Sequence, residues 1–135
     1  MSEQTNKYFR IDPKGNKFYY ANAEMKVLHR EDGPAVEYHG GDKFWWQNGN
    51  LHREDGPAIE WMNGDKSWWI NDERHREDGP AIEWADGGKW WYKNNLIHRE
   101  DGPAIDDRFK TWFLNGLSMS EEEFNAEIKK RKKSP

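Results

Sequence analysis

Apolar residues in this chain come in short runs that alternate with charged ones and break at regular intervals on glycine and asparagine. Val36-Glu37-Tyr38, Ile59-Glu60-Trp61 and Ile82-Glu83-Trp84 each hold an acid between two apolar residues. Glycine-containing turns follow at Gly40-Gly41-Asp42, Asn63-Gly64-Asp65 and Asp86-Gly87-Gly88, and then the runs Lys43-Phe44-Trp45-Trp46, Lys66-Ser67-Trp68-Trp69 and Lys89-Trp90-Trp91-Tyr92. A second turn closes each unit at Asn48-Gly49, Asn71-Asp72 or Asn94-Asn95. β-Branched and aromatic runs bounded by such pairs are the pattern of β-hairpins, so each unit is predicted to supply two antiparallel strands.

The period changes after Leu117. Ser120 followed by Glu121-Glu122-Glu123 has the form of a capping box, Met119 and Phe124 stand at the positions of a hydrophobic staple, and Phe124 with Ile128 makes an i,i+4 apolar pair. Acids in the first turn and bases in the last suit the helix dipole. A short C-terminal helix is predicted, covering the last exposed strand edge or sheet face.

The hairpins are units of an internal repeat. The heptapeptide His-Arg-Glu-Asp-Gly-Pro-Ala starts at His29, His52, His75 and His98, each copy 23 residues after the last. A fixed period of this size marks supersecondary units stacked side by side, none able to bury its apolar face alone. In the fourth unit Asp106-Asp107-Arg108-Phe109 replaces the longer strand and turn. Upstream, Gly15-Asn16-Lys17-Phe18-Tyr19-Tyr20-Ala21-Asn22 matches the turn and aromatic strand without a heptapeptide before it. Both read as degenerate terminal units. The expected architecture is an all-β, elongated single antiparallel meander: a disordered N-terminus at 1–7, a degenerate unit at 8–28, repeats at 29–51, 52–74, 75–97 and 98–117, and a capping helix with a basic tail at 118–135.

Composition changes one point. Ile, Leu, Val and Phe number 20 of 135 residues and mean hydropathy is -1.28, values that without patterning would point to disorder. Nine Trp and five Tyr reverse that reading, since each buried aromatic removes roughly 150–250 Å² from water. Such a length leaves room for one core. The absence of cysteine fits a reducing cytoplasm, the expected location. No apolar run reaches a membrane span, and Met1 to Lys7 has no signal-peptide core. A net charge of -4 disfavours nucleic acid as partner, except through the tail Lys129-Lys130-Arg131-Lys132-Lys133, read as a frayed solvated end or an electrostatic arm.

The segment Asn48-Gly49-Asn50-Leu51-His52-Arg53-Glu54-Asp55-Gly56-Pro57-Ala58 resembles the MORN repeat, and more closely the MORN-variant repeats of antitoxin-like bacterial proteins and of phage and giant-virus proteins. The resemblance covers about 110 residues. It implies an antiparallel meander, no enzyme activity, no catalytic residues and no cofactor, and, for a viral protein, the cytoplasm of the host cell. The Tyr and Gly spacing of ordinary MORN units is only partly kept, so their lipid and junctional roles do not transfer.

The repeated histidines invite a metal or catalytic reading. With two strands per repeat, equivalent residues lie about 10 Å apart, whereas zinc holds its ligands at about 2.1 Å and catalysis needs different groups within about 3 Å of one atom. The heptapeptide is therefore expected to be a frame in which His, Arg and Glu pair between neighbouring repeats while Asp-Gly-Pro turns the chain. Trp45, Trp68, Trp91 and Trp112 are expected to form a stacked row. Binding is expected at the second aromatic row, Trp46, Trp69, Tyr92 and Phe113, with Phe44 and Trp90 and with Trp61 and Trp84. Specificity is expected where the copies differ: Phe44, Ser67, Trp90 and Thr111; His39, Met62 and Ala85; Gln47, Ile70, Lys93 and Leu114. The function read from these features is a non-enzymatic protein-binding scaffold, and the resemblance implies a phage or antitoxin-like protein that occludes a host or toxin protein. Alternatives are a small-ligand or nucleotide binder that stacks on Trp, and a structural homo-oligomer.

Overall fold

The computed structural model describes residues 8–133, so the disorder expected of residues 1–7 lies outside the described residues. It is mostly β, an antiparallel meander with one C-terminal helix, as the hairpin pattern predicts. The chain packs as two compact units that divide between Glu73 and Arg74. Repeat arrays divide in this way because each unit packs only on its neighbours.

In the first unit the ladder consists of β1 (Phe9–Ile11), β2 (Lys17–Tyr19), β3 (Val36–Glu37), β4 (Lys43–Phe44), β7 (Ile59–Glu60) and β8 (Lys66–Ser67); β5 (Trp46–Gln47) and β6 (Asn50–Leu51) form a side hairpin, and β9 (Trp69–Ile70) follows. In the second, the ladder is β11 (Ile82–Glu83), β12 (Lys89–Trp90), β15 (Ile105–Asp106), β16 (Lys110–Leu114) and β17 (Leu117–Met119), with β13 (Tyr92–Lys93) and β14 (Leu96–Ile97) as side hairpin. The segment β10 (Glu73–Arg74) spans the division. A full repeat thus carries four two-residue strands where two longer ones were expected. The break falls at Trp45, Trp68 and Trp91. The Trp45 N–H donates to the Ala58 carbonyl at 2.7 Å while its own carbonyl accepts from the His52 N–H at 3.1 Å, so one residue serves the ladder on one side and the side hairpin on the other. Trp91 does the same with Ala104 and His98. No heptapeptide follows Trp112, and β16 runs through it unbroken.

Register explains the alternation. On one face Phe18, Val36, Phe44, Ile59 and Ser67 lie opposite one another in sequence, as do Ile82, Trp90, Ile105 and Thr111 in the second unit. On the other face the partners alternate in sign: Lys17, Glu37, Lys43, Glu60, Lys66, and then Glu83, Lys89, Asp106, Lys110. A slip of one residue would bring Val36 and Ile59 onto the charged face and rings onto the lysines, so the ladder specifies its own alignment. Val36, Ile59 and Ile82 are buried, and Ala35, Ala58, Ala81 and Ala104 are wholly inaccessible.

The C-terminal helix α1 (Glu121–Lys132) has the predicted capping box: the Glu123 N–H donates to Ser120 Oγ at 3.0 Å and the Ser120 N–H to Glu123 Oε1 at 2.9 Å. Phe124 is buried and the helix packs on β16. Over its described part the basic stretch is exposed to solvent. It is the last helical turn, with Arg131 bonded to Glu127 at 3.0 Å and 3.8 Å from Glu100.

Two outcomes follow from this packing. Ala58→Leu forces a side chain into a site with no accessible surface and should cost about 1–3 kcal/mol, read as a lower urea midpoint; an unchanged midpoint would contradict the packing. A hydrogen bond from Lys110, and then its charge, hold the Asp106 carboxyl below its ordinary 3.8. Its contribution is therefore present above that value and lost as pH falls through the depressed one. Asp106→Asn should flatten the acid limb of the stability profile below about pH 4, measured by urea midpoints along a pH series.

Candidate protein-binding surface

The heptapeptide is a clamp around its arginine. Arg53 Nε donates to Asp55 at 3.1 Å, and Nη1 to the Pro57 carbonyl and to Glu60, each at 3.1 Å. Arg30 repeats the set with Asp32, Pro34 and Glu37, and Arg76 donates to the Pro80 carbonyl and Glu83. The guanidinium plane rests on an aromatic ring of the preceding unit: Arg30 on Tyr19 at 4.0 Å, Arg53 on Trp45 at 3.9 Å and Arg99 on Trp91 at 3.7 Å from the centroid. On its other side lies the heptapeptide glycine. A Cβ on Gly56 would stand 2.9 Å from Arg53 Cζ, and one on Gly102 2.8 Å from Arg99 Cζ. The expected row of stacked Trp rings is thus a row of rings that carry guanidinium groups.

The histidines secure the turns. The backbone N–H groups of Asn48, Asn71, Asn94 and Asn115 donate to Nδ1 of His29, His52, His75 and His98 at 2.8–3.0 Å. A backbone N–H only donates, so Nδ1 is the unprotonated nitrogen and Nε2–H is left to face Glu31, Glu54, Glu77 and Glu100, at 2.6–3.4 Å. The hydrogen bond from His75 Nε2–H, with the Lys93 ammonium 3.8 Å away, holds the Glu77 carboxyl below its ordinary value. Each donating asparagine has a left-handed backbone, with φ between 48° and 51°, which asparagine tolerates better than most residues. These His and Arg–Glu contacts fall within one repeat; only the ring under the guanidinium comes from a neighbour. Both ring nitrogens of every heptapeptide histidine are engaged, and among the described residues no three His, Asp or Glu side chains gather closely enough to hold a metal ion.

The open surface is aromatic and lies on the apolar face. In the first unit Phe18, Tyr38, Phe44 and Trp61 meet edge to face, with centroids 6.2, 5.6 and 5.3 Å apart. Arg10 closes the row, 4.8 Å above Phe18. Tyr38 and Trp61 are each 41 % exposed, and Met62, lying against Gly41, is 74 % exposed. In the second unit Trp84, 37 % exposed, meets Trp90 at 5.6 Å, and Trp90 Nε1 donates to Asp107 at 3.3 Å.

Of the residues expected to bind, Phe44 and Trp61 come together in one unit and Trp84 and Trp90 in the other. Trp46, Trp69, Tyr92 and Phe113 do not form an open row. Tyr92 is buried, with Arg74 5.2 Å from its centroid; Trp46 and Phe113 are half-buried; and half-buried Trp69 donates from Nε1 to Ser67 Oγ at 2.8 Å. Trp46 and Tyr92 stand in side hairpins, where the chain has already turned off the ladder, and Phe113 lies on β16 beyond the residues that pair with β15. Tyr38 was not among the expected binding residues, although it occupies the place of Trp61 and Trp84 in the aligned triplets; that alignment is the signal that identifies it. No known family model matches the chain, and no curated protein does. Among the described residues no helix is long and apolar enough to cross a membrane.

Gly56→Ala keeps an ordinary backbone conformation while pushing the Arg53 guanidinium off Trp45. It should cost about 1–2 kcal/mol, measured by urea denaturation. Arg53→Lys, which keeps the charge without the planar fork, should cost a similar amount. Full stability in either variant would contradict the clamp.

Proposed function

We propose that this protein is a non-enzymatic binding scaffold that engages another protein through the aromatic face of its ladder, centred on Tyr38, Phe44, Trp61 and Met62. The observation that carries this reading is a row of large rings left two-fifths open at Tyr38 and Trp61 beside the more exposed Met62. Exposed apolar patches of this kind are where soluble proteins bind partners, with Trp and Tyr as anchors. The heptapeptides support it from the other direction, since their His and Arg side chains are engaged in holding turns and loops.

The resemblance of the heptapeptide units to MORN-variant repeats supports a finer version, an antitoxin-like or phage protein that acts by occluding a host or toxin protein. Binding of a nucleotide or sugar by Trp stacking is less well supported. The rings already meet edge to face at 5.3–6.2 Å, and a flat ligand has no gap between parallel faces to enter. A structural oligomer would use the same patch, and light scattering distinguishes it.

The test is paired affinity capture from host lysate with the wild type and a Tyr38→Ser/Trp61→Ser variant. A single stoichiometric protein should be retained by the wild type and reduced about tenfold or more by the variant, with the variant's circular dichroism unchanged. Equal capture by both forms would overturn the reading, as would strong Trp quenching by free nucleotides.

A further inference from the structure

The side hairpins stack through their turns, and the last position of that stack is open. The outer strand of each side hairpin has one residue facing an aromatic partner across the pair: Leu28 opposite Tyr20, Leu51 opposite Trp46, Ile97 opposite Tyr92 and Ser118 opposite Phe113. Backbone groups at this position point away from their own hairpin. In the first unit the Leu28 carbonyl accepts from the Gly49 N–H at 2.9 Å. The Leu51 carbonyl accepts from the Asp72 N–H at 2.9 Å, and the Leu51 N–H donates to Asp72 Oδ1 at 2.8 Å. In the second, Arg74 makes both bonds with Asn95 and the Ile97 carbonyl accepts from the Gly116 N–H. Every donor is the second residue of a tight turn in which both central residues have positive φ, the type I′ geometry.

Ser118 is the last member of this series. Among the described residues no further turn follows it, and its outward N–H and carbonyl have no partner. Leu117 stands where Val27 and Leu96 stand. Those two pack on the glycine of the incoming turn, 3.5 Å from a Cβ built on Gly49 and 3.4 Å from one on Gly116, whereas Leu117 is 69 % exposed. The helix leaves this edge uncovered. A groove lined by Leu114, Leu117, Ser118 and Met119 on the strand side and by Glu123 and Glu127 on the helix side runs beside it.

We propose that the Leu117–Ser118 edge is a second protein-binding site, which receives the two-residue turn of a β-hairpin on a partner protein, with Asp or Asn at the second turn position. Recognition repeats the contact that this chain makes internally: the turn's N–H donates to the Ser118 carbonyl, its side-chain oxygen accepts from the Ser118 N–H, and Leu117 packs beneath it. A second copy brings no turn of this kind to spend, because Gly49, Asp72, Asn95 and Gly116 already donate to their own preceding repeats. The site belongs to the second unit and uses no residue of the Tyr38–Trp61 face, so it stands or falls separately from the function proposed above.

The probe is a cyclic hairpin peptide reproducing Trp69-Ile70-Asn71-Asp72-Glu73-Arg74, titrated into the ¹⁵N-labelled full chain. The expected result is a saturable shift of the Ser118 amide and slower hydrogen exchange there, with binding weakened about tenfold when alanine replaces the peptide's aspartate. Ser118→Pro removes the outward N–H, which the β16–β17 pair does not use, and should abolish the response to the peptide read at the Leu117 and Met119 amides. Leu117→Lys gives the same test if the proline disturbs the strand. Shifts confined to other residues, or equal affinity for the alanine peptide, would overturn the proposal. So would a dimer by sedimentation in which the Ser118 amide is already protected without peptide.

Discussion

The guanidinium of Arg53 touches three successive pieces of chain at once: the Trp45 ring of the repeat before it, the Asp55–Pro57 loop of its own heptapeptide, and Glu60 on the strand that follows. Two-residue strands offer too few ladder bonds to hold themselves, and a chain so poor in aliphatic residues cannot build a thick core. The clamp supplies what is missing by tying loop, ring and strand together at each period. Its components are interdependent: glycine gives the planar group room, proline presents a carbonyl, and aspartate and glutamate share the charge between loop and sheet. That mutual dependence is a physical reason for the heptapeptide to recur unchanged while its surroundings vary.

The same division separates frame from surface. On the charged face of the ladder the alternating lysines and acids, together with the clamps, set register. The opposite face carries Val36, Ile59 and Ile82 beneath rings, and the rings at the ladder's turn end, Tyr38, Trp61 and Trp84, stay partly open. One set of the positions that differ among repeats lies on this second face: Phe44 and Trp90 carry rings where Ser67 carries a hydroxyl that Trp69 bonds. Variation there alters the surface without disturbing a clamp.

Much of this was legible in the sequence. Turn residues at Asn48-Gly49, Asn71-Asp72 and Asn94-Asn95 have positive φ, and Ser120 with Glu123 specifies the helix start atom by atom. The division of each long strand at Trp45 and Trp91 was not legible, because it depends on a carbonyl thirteen residues away, that of Ala58 or Ala104, and an alternating pattern reads the same on both sides of the pivot. Which rings share the ladder's apolar face was not legible for the same reason. Once the chain turns at the pivot, Trp46, Trp69 and Tyr92 leave the ladder face, and Tyr38 shares that face with Phe44.

The central claim is that the heptapeptides are the frame, and native-state hydrogen exchange tests it most directly. The amides of Trp45, Asn71, Trp91 and Asn94 bond to heptapeptide alanines and histidines, so they should exchange only through the largest openings of their own units, with free energies near the global value. Exchange at these four amides as fast as at the exposed Phe109 loop, while the rest of the ladder stays protected, would contradict the account.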